Sequence, residues 1–175
     1  MNKLTAWYRS PIGLLKISGT GHGIEEISFA RSKSTGTAAP PDELRPAVRE
    51  LEEYFRGERR EFTTRLAPAG TAFQKEVWAE LEKIPFGGTA TYGGIAAALN
   101  HPGAARAVGG ANHLNPISIV IPCHRVIGAG SDLRGYGGGL WRKRWLLEHE
   151  RSVAQTGAPA DRPSRSKKEP RRNTR

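Results

Sequence analysis

The only cysteine of this 175-residue chain sits in the run Ile121-Pro122-Cys123-His124-Arg125-Val126, with a histidine beside it and an arginine one residue further on. A single cysteine excludes an internal disulfide and a cysteine-rich zinc site, so a hydrophobic core has to hold the fold. With 37% hydrophobic residues the chain has the material for one. Its length makes one ordinary domain or two small ones. A free thiol fits a reducing compartment. No apolar run approaches the roughly 18 residues of a membrane span. The opening residues Met1-Asn2-Lys3-Leu4-Thr5 lack the apolar core of a signal peptide. The expected location is the cytoplasm, without membrane contact.

Two readings of the cysteine compete. A thiolate is the reactive form, and a neighbouring histidine or positive charge favours it. A lone cysteine also serves as a small buried hydrophobe, and Ile119, Val120 and Ile121 lead into this one. Adjacency in sequence does not bring two side chains together, so the Cys-His pair alone leaves both readings open.

The net charge of +10 is unevenly spread. Residues 151–175 hold eight Lys/Arg and two Asp/Glu, and the other 150 residues are only +4. That final stretch, rich in Pro, Ser, Lys and Arg, is too poor in aliphatic residues to fold. It is expected to be a disordered basic extension, either touching nucleic acid or simply solubilising the chain. Between Ile84 and Leu147 the only acid is Asp132, against Arg106, Arg125, Arg134, Arg142, Lys143 and Arg144. Such an excess around the candidate nucleophile favours a polyanionic partner.

Apolar runs over 4–9, 12–18 and 23–29, separated by Ser10-Pro11 and Gly19-Thr20-Gly21, predict a three-stranded antiparallel meander. A Ser/Thr/Gly/Ala/Pro loop over 31–41 follows. Asp42 is the expected cap of a helix carrying Leu44, Val48, Leu51 and Phe55, and Gly57 ends it. No chemical motif stands out here, and support is the natural reading. Thr71 caps a second predicted helix with Phe73, Val77, Trp78 and Leu81 as its buried stripe. Thr91 caps a short Ala-rich helix. A turn at His101-Pro102-Gly103 leads into a small-residue helix over 104–113, which carries Arg106. Two short helices on a tight turn form a helix-turn-helix pattern, although many such hairpins never touch DNA.

Asn115-Pro116 breaks that helix, and residues 117–121 are read as extended into Pro122-Cys123. A loop over 128–139 holds six glycines in twelve residues, which permits close backbone approach to a ligand. The last helix is predicted over 141–151, with Leu140, Trp145, Leu146 and His149 inward. Glu150 taken alone reads as a solvated helix-end charge.

The run Pro122-Cys123-His124-Arg125-Val126 resembles the signature of the O6-alkylguanine-DNA alkyltransferases, the methylated-DNA–protein-cysteine methyltransferases. The likeness extends over residues 73–150. Ala104-Ala105-Arg106-Ala107-Val108-Gly109-Gly110-Ala111 resembles the family's recognition helix, and Asn115-Pro116 its hinge. Residues 119–127 resemble its active-site strand, Gly135-Tyr136-Gly137-Gly138-Gly139 its substrate loop, and Trp145-Leu146-Leu147-Glu148-His149-Glu150 its closing helix. Five motifs in order are far more specific than one.

The resemblance implies a fold and an activity. The fold would be an α/β, ribonuclease H-like N-terminal domain over 1–66, a small antiparallel sheet plus helix. A mainly helical domain with a winged helix-turn-helix would follow over 67–150, and then the basic tail, 151–175. The activity would be direct-reversal DNA repair: one irreversible transfer of the alkyl group from O6-alkylguanine, and from O4-alkylthymine, to Cys123. His124 would take the thiol proton through a bound water and Glu150 would orient the imidazole, the logic of an activated nucleophile. A thioether has no good leaving group, so each molecule would act once.

The target base lies inside the duplex and would have to be flipped out. Arg106 would fill the gap. Tyr92 would push the 3′ phosphate and bond N3 of the flipped base. Tyr136 and Gly137 would line the pocket, Val126 would offer its carbonyl to the exocyclic amine, and Asn115 would form the hinge. Ala105, Gly109 and Arg125 are further expected DNA contacts. The implied partner is double-stranded DNA containing O6-alkylguanine, bound by a monomer that is free to assemble cooperatively on DNA. No metal and no cofactor are implied, since the cysteines that hold zinc in some members are missing here. Gly137 stands where better-known members carry Ser or Ala, which leaves alkyl-size preference open. The alternative is a non-catalytic alkyltransferase-like lesion-binding protein, but that group carries tryptophan at the cysteine position. A cysteine hydrolase lacks its nucleophile elbow here, and a plain regulator leaves Cys123, His124 and Glu150 unexplained.

Overall fold

The computed structural model describes residues 2–30 and 39–157. Most of the loop predicted over 31–41, and the basic stretch from 158 onward, lie outside the described residues. Strands β1 (Leu4–Ser10), β2 (Gly13–Thr20) and β3 (Gly23–Phe29) form the antiparallel meander that the apolar runs predict, in spatial order β1-β2-β3. Side chains alternate across a strand, so Ala6, Ile17 and Ile27, aligned by register, share the buried face with Leu15.

Helix α1 (Arg45–Phe55) packs against β1 and buries Leu51, Tyr54 and Phe55. Asp42 does not cap it. Leu44 occupies the cap position without a side-chain bond, and Asp42 instead pairs with the Arg45 guanidinium. Pro46 in the first turn presets the helical φ and has no N–H to cap. Gly57 ends the helix at φ +77°, a conformation that suits glycine.

The free edge of β3 is closed from two directions. Ile24 N–H donates to Arg65 O at 2.8 Å, and Ala67 N–H returns to Ile24 O at 2.7 Å. Further along, Ile27 N–H donates to Pro116 O and Ser118 N–H to Ile27 O, each at 2.9 Å. Pairing removes an edge that would otherwise template aggregation. It also ties the sheet to the segment that leads into Cys123.

Helix α2 (Ala72–Glu82) begins with a capping box in which the Thr71 and Gln74 side chains bond each other's backbone N–H. Val77, Trp78 and Leu81 form its buried stripe, and the Trp78 indole N–H donates to Ala111 O at 2.9 Å. Strand β4 (Ala90–Thr91) precedes α3 (Tyr92–Ala98), whose first turn is capped by the Thr91 hydroxyl. Asn100 at φ +60° begins the turn into α4 (Ala105–His113), completing the helix-turn-helix. Strand β5 (Val126–Ile127) pairs in parallel with β4. Helix α5 (Leu140–Gln155) closes the described fold.

Two further expectations are corrected here. Residues 117–121 are not a continuous extended run. Ile119 has φ +76° and the backbone turns back, with Ile121 N–H donating to Ile117 O at 3.0 Å. Helix α5 continues to Gln155, so 151–155 belong to the folded body and not to a tail. Val153 meets Gly57, and the Arg60 guanidinium donates to Val153 O. On α5, Leu146 is buried as expected while Leu140 is 47% exposed. Lys143 and Glu150 take the remaining inward positions, because partners wait for both charges. Among the described residues, no helix is long and apolar enough to cross a membrane.

Candidate active site

The nucleophile candidate is held by a chain of local constraints that starts at Asn115. Its Oδ1 accepts from Ile117 N–H at 3.0 Å and its Nδ2 donates to Ile121 O at 2.8 Å, clamping the turn between them. That clamp keeps the β-branched Ile119 in a left-handed conformation which only surrounding structure sustains. Pro122 then leads into a single 3₁₀ turn, Cys123–Arg125. The turn directs consecutive residues to different places: Cys123 to a cleft, His124 and Arg125 to the interior.

Glu150 of α5 receives what this turn sends inward. His124 Nε2 lies 2.8 Å from Glu150 Oε1. The Arg125 guanidinium grips both carboxylate oxygens, Nε on Oε2 and Nη2 on Oε1, each at 2.9 Å, and Nη1 donates to Ile84 O at 2.6 Å. Gly87 N–H donates to Oε2 at 3.0 Å and Tyr54 Oη donates to Oε1 at 2.8 Å. A carboxylate with five hydrogen bonds, two of them from a bidentate arginine, is well compensated for burial. Burial alone raises its pKa, but the hydrogen bonds and charges of His124 and Arg125 hold it well below the usual carboxylate range.

An ionised Glu150 can only accept, so His124 Nε2 must carry a proton. Burial lowers the pKa of His124, against the pull of Glu150, and the imidazole is neutral at pH 7. Its Nδ1 is then a bare lone pair. That atom is buried and has no hydrogen-bond partner among the described residues. The cluster therefore presents a neutral base of fixed tautomer in the residue next to the cysteine.

Cys123 is 5% exposed and lines a cleft of about 540 Å³. Burial pushes its thiol up, opposed by the Asn115 amide and the charge of Lys143. The resting group is a thiol that needs a base, not a standing thiolate. Tyr136, Gly137, Gly138, Asn115 and Asn112 line the same cleft. A Cβ built on Gly137 meets nothing within 4 Å, whereas one on Gly138 would strike the rings of Tyr136 and Phe29. Packing thus demands a glycine at 138, whereas the Gly137 position faces open space.

The other predicted residues fall into two groups. Arg106 is exposed on α4, and Ala105 is half-buried beside it. Tyr92 packs its ring near Gly109 and donates its hydroxyl to Arg134 O at 3.3 Å. Val126 O accepts from Lys143 Nζ at 2.6 Å. Arg125 is a correction. Predicted as a DNA contact, it is 6% exposed with its guanidinium spent on Glu150 and Ile84, since the buried carboxylate needs a counter-charge.

Three residues at the site escaped the sequence reading. Lys143 is fully buried and donates to Arg134 O as well as to Val126 O, joining the glycine-rich loop to β5. Its place one helical face from Leu146 and Glu150 was the available signal. Asn112 is buried, and its Oδ1 has no partner among the described residues. Tyr54 reaches Glu150 across 96 residues, and no local pattern announces such a bond.

Comparison with known proteins places this geometry. Residues 72–152 match the family described as 6-O-methylguanine DNA methyltransferase, DNA binding domain, and residues 4–68 match that enzyme's ribonuclease-like domain. The chain belongs to this family. A methylated-DNA–protein-cysteine methyltransferase of Methanosarcina acetivorans is 46% identical over 154 residues, covering 84% of this chain and 97% of that protein. One from Mycobacterium tuberculosis is 47% identical over 156 residues, covering 87% and 92%. The crystal structure of the Mycobacterium tuberculosis O6-methylguanine methyltransferase superposes with a TM-score of 0.79 at 44% identity, over 91% of this chain and 97% of that one. The same organism's OGT in complex with DNA gives 0.77 at 46% identity, over 87% and 94%. The small antiparallel sheet domain followed by a helical domain is this alkyltransferase family's architecture.

Proposed function

We propose that this alkyltransferase repairs DNA by moving the alkyl group of O6-alkylguanine onto Cys123, once per molecule. The observation that carries the assignment of roles is the bare Nδ1 of a neutral His124, held in its tautomer by Glu150 and next in sequence to the buried Cys123 thiol. His124 accepts the thiol proton through a bridging water. The sulfur attacks the alkyl carbon as the C–O6 bond breaks, and that bond's electron pair stays with guanine. The base regains a proton equivalent to the one the thiol gave up. Atoms balance without metal or cofactor, and the thioether product has no route back.

Arg106 and the small residues of α4, Ala105 and Gly109 among them, face the minor groove. Arg106 fills the gap that the flipped base leaves. Tyr92 exchanges its bond to Arg134 O for the flipped nucleotide. Tyr136 lines the pocket, and the second lone pair of Val126 O serves the exocyclic amine. Residues 1–66, 67–150 and the segment beyond act as support, catalytic unit and basic accessory, with α5 reaching into the last. O4-alkylthymine is a second substrate, and the protein works as a cytoplasmic monomer. The empty space at Gly137 admits alkyl groups larger than methyl. A lesion-binding role without transfer is disfavoured because the residue at the reacting position is a cysteine.

Titrating the protein with duplexes carrying O6-methylguanine, and counting restored guanines, tests this reading. One guanine per molecule is expected. More than one would mean turnover, and none would leave binding alone. Benzyl in place of methyl should still be removed.

A further inference from the structure

Tyr54 belongs to α1, 96 residues before Glu150 in sequence, yet its hydroxyl ends on Glu150 Oε1 at 2.8 Å. Its ring is fully buried between Phe55, Phe62, Phe86 and His149, with centroids 5.3–6.0 Å away, so the hydroxyl has no freedom to swing out. Backbone contact fixes it too, because His149 Nε2 lies 2.9 Å from Tyr54 O. Packing alone would be served by phenylalanine. Burying a phenol costs desolvation unless a partner receives it, and here the partner is the oxygen that also holds His124 Nε2.

We propose that Tyr54 is a positioning residue for alkyl transfer: its hydroxyl fixes the Glu150 carboxylate and tempers the pull of Oε1 on the His124 imidazole. This rests on reading Cys123, His124 and Glu150 as the reactive set. Each donor on Oε1 draws off part of its negative charge, and what remains acts on His124. With Tyr54 in place, Oε1 divides among Tyr54, His124 and Arg125. Without it, two donors share the oxygen and more of its charge favours imidazolium. The neutral base becomes scarcer as pH falls.

The charged and titratable groups around the pair come from several elements. Arg125 and the Gly87 N–H face Glu150, and Arg125 and Lys143 face His124. Tyr54 itself stays a donor at every working pH, since burial and the Glu150 charge raise its pKa well above the ordinary phenol. The N-terminal domain then does more than support: it sets the protonation range of the base.

The test compares Tyr54→Phe with Phe55→Leu, a neighbouring change that loosens the same interface without touching Glu150. His124 protonation is followed by ring ¹⁵N NMR in the DNA-free full chain, and single-turnover methyl transfer is followed across pH. A hydrogen bond to a charged group is worth enough to move the partner's midpoint by about half to one pH unit. Tyr54→Phe should raise the His124 midpoint by that amount and carry the acid limb of transfer with it, while Phe55→Leu leaves both in place. Site-specific 3-fluorotyrosine at position 54, a stronger donor of nearly equal size, should move the midpoint down. An unchanged midpoint in Tyr54→Phe, or an equal shift in Phe55→Leu, overturns the proposal. Absence of any transfer by the native protein would instead refute the functional reading, and the NMR arm would still decide the role of Tyr54.

Discussion

The α3–α4 surface and the cluster around Glu150 are both polar, but they are built on opposite plans. On the helix pair, Arg106 stands exposed among alanines and glycines. Around Glu150, five hydrogen bonds converge on one buried carboxylate, and the Arg125 guanidinium matches its charge. A substitution on the open surface should leave the fold alone. One inside the cluster leaves a buried group uncompensated, so chemistry and stability fall together. On the function proposed above, affinity would rest on the exposed surface and reactivity on the interior cluster.

That contrast can be broken or sharpened by mutation. The largest effect is expected at Cys123, which the cluster serves but which does not itself balance a charge. Cys123→Ala should abolish transfer while keeping affinity for methylated duplex, read by restored guanine and by gel shift. Transfer that survives would point to another nucleophile. Next comes Glu150→Gln. Breaking a buried ion pair on one side costs about 3–5 kcal/mol, to be measured by urea unfolding. A loss as small as that of an exposed substitution would show the cluster to be wetter than its geometry.

Acid should have a graded effect that the open surface does not share. The pKa of His124 is lowered from 6.5 and that of Glu150 from 4.5. Groups with depressed folded values stabilise above their unfolded pKa and lose that contribution as pH drops. The melting temperature should therefore begin to fall below about pH 6.5 and fall more steeply below about 4.5. Glu150→Gln should flatten the second limb.

The smallest effect on stability is expected at Arg106→Ala, within about 0.5 kcal/mol of the native protein as for other surface changes. Its affinity for O6-methylguanine duplex should nonetheless drop about ten-fold, or about 1.4 kcal/mol. Removing residues 158–175, which hold seven Lys/Arg and two Asp/Glu, should mainly lessen the salt dependence of DNA binding. Equal losses of flipping in the two variants would contradict the finger role of Arg106.

Local chemistry explains what the sequence could reveal. The meander, the Thr71 and Thr91 caps and the Val77-Trp78-Leu81 stripe are written in residues within a few positions of each other, so pattern and propensity suffice. The turn at Ile119 defeats such reading, because a β-branched residue avoids left-handed φ unless tertiary bonds such as those of Asn115 impose it. Arg125 misled for a related reason. A cation in a basic neighbourhood suggests phosphate, and nothing nearby in sequence shows that Glu150 will claim it. The structure sets the His124 ring 2.8 Å from Glu150, one residue on from Cys123, whereas the bond of Tyr54 to the same carboxylate emerges only when distant segments fold together.

The central claim is that the Cys123 sulfur ends the reaction bonded to the carbon taken from the lesion. Intact-mass analysis followed by peptide mapping, after incubation with excess O6-methylguanine duplex, reads this directly. A gain of one methyl group per molecule is expected, confined to the peptide that carries Cys123, with no further gain over time. An unmodified protein beside repaired DNA, or a methyl group on any other residue, would contradict it.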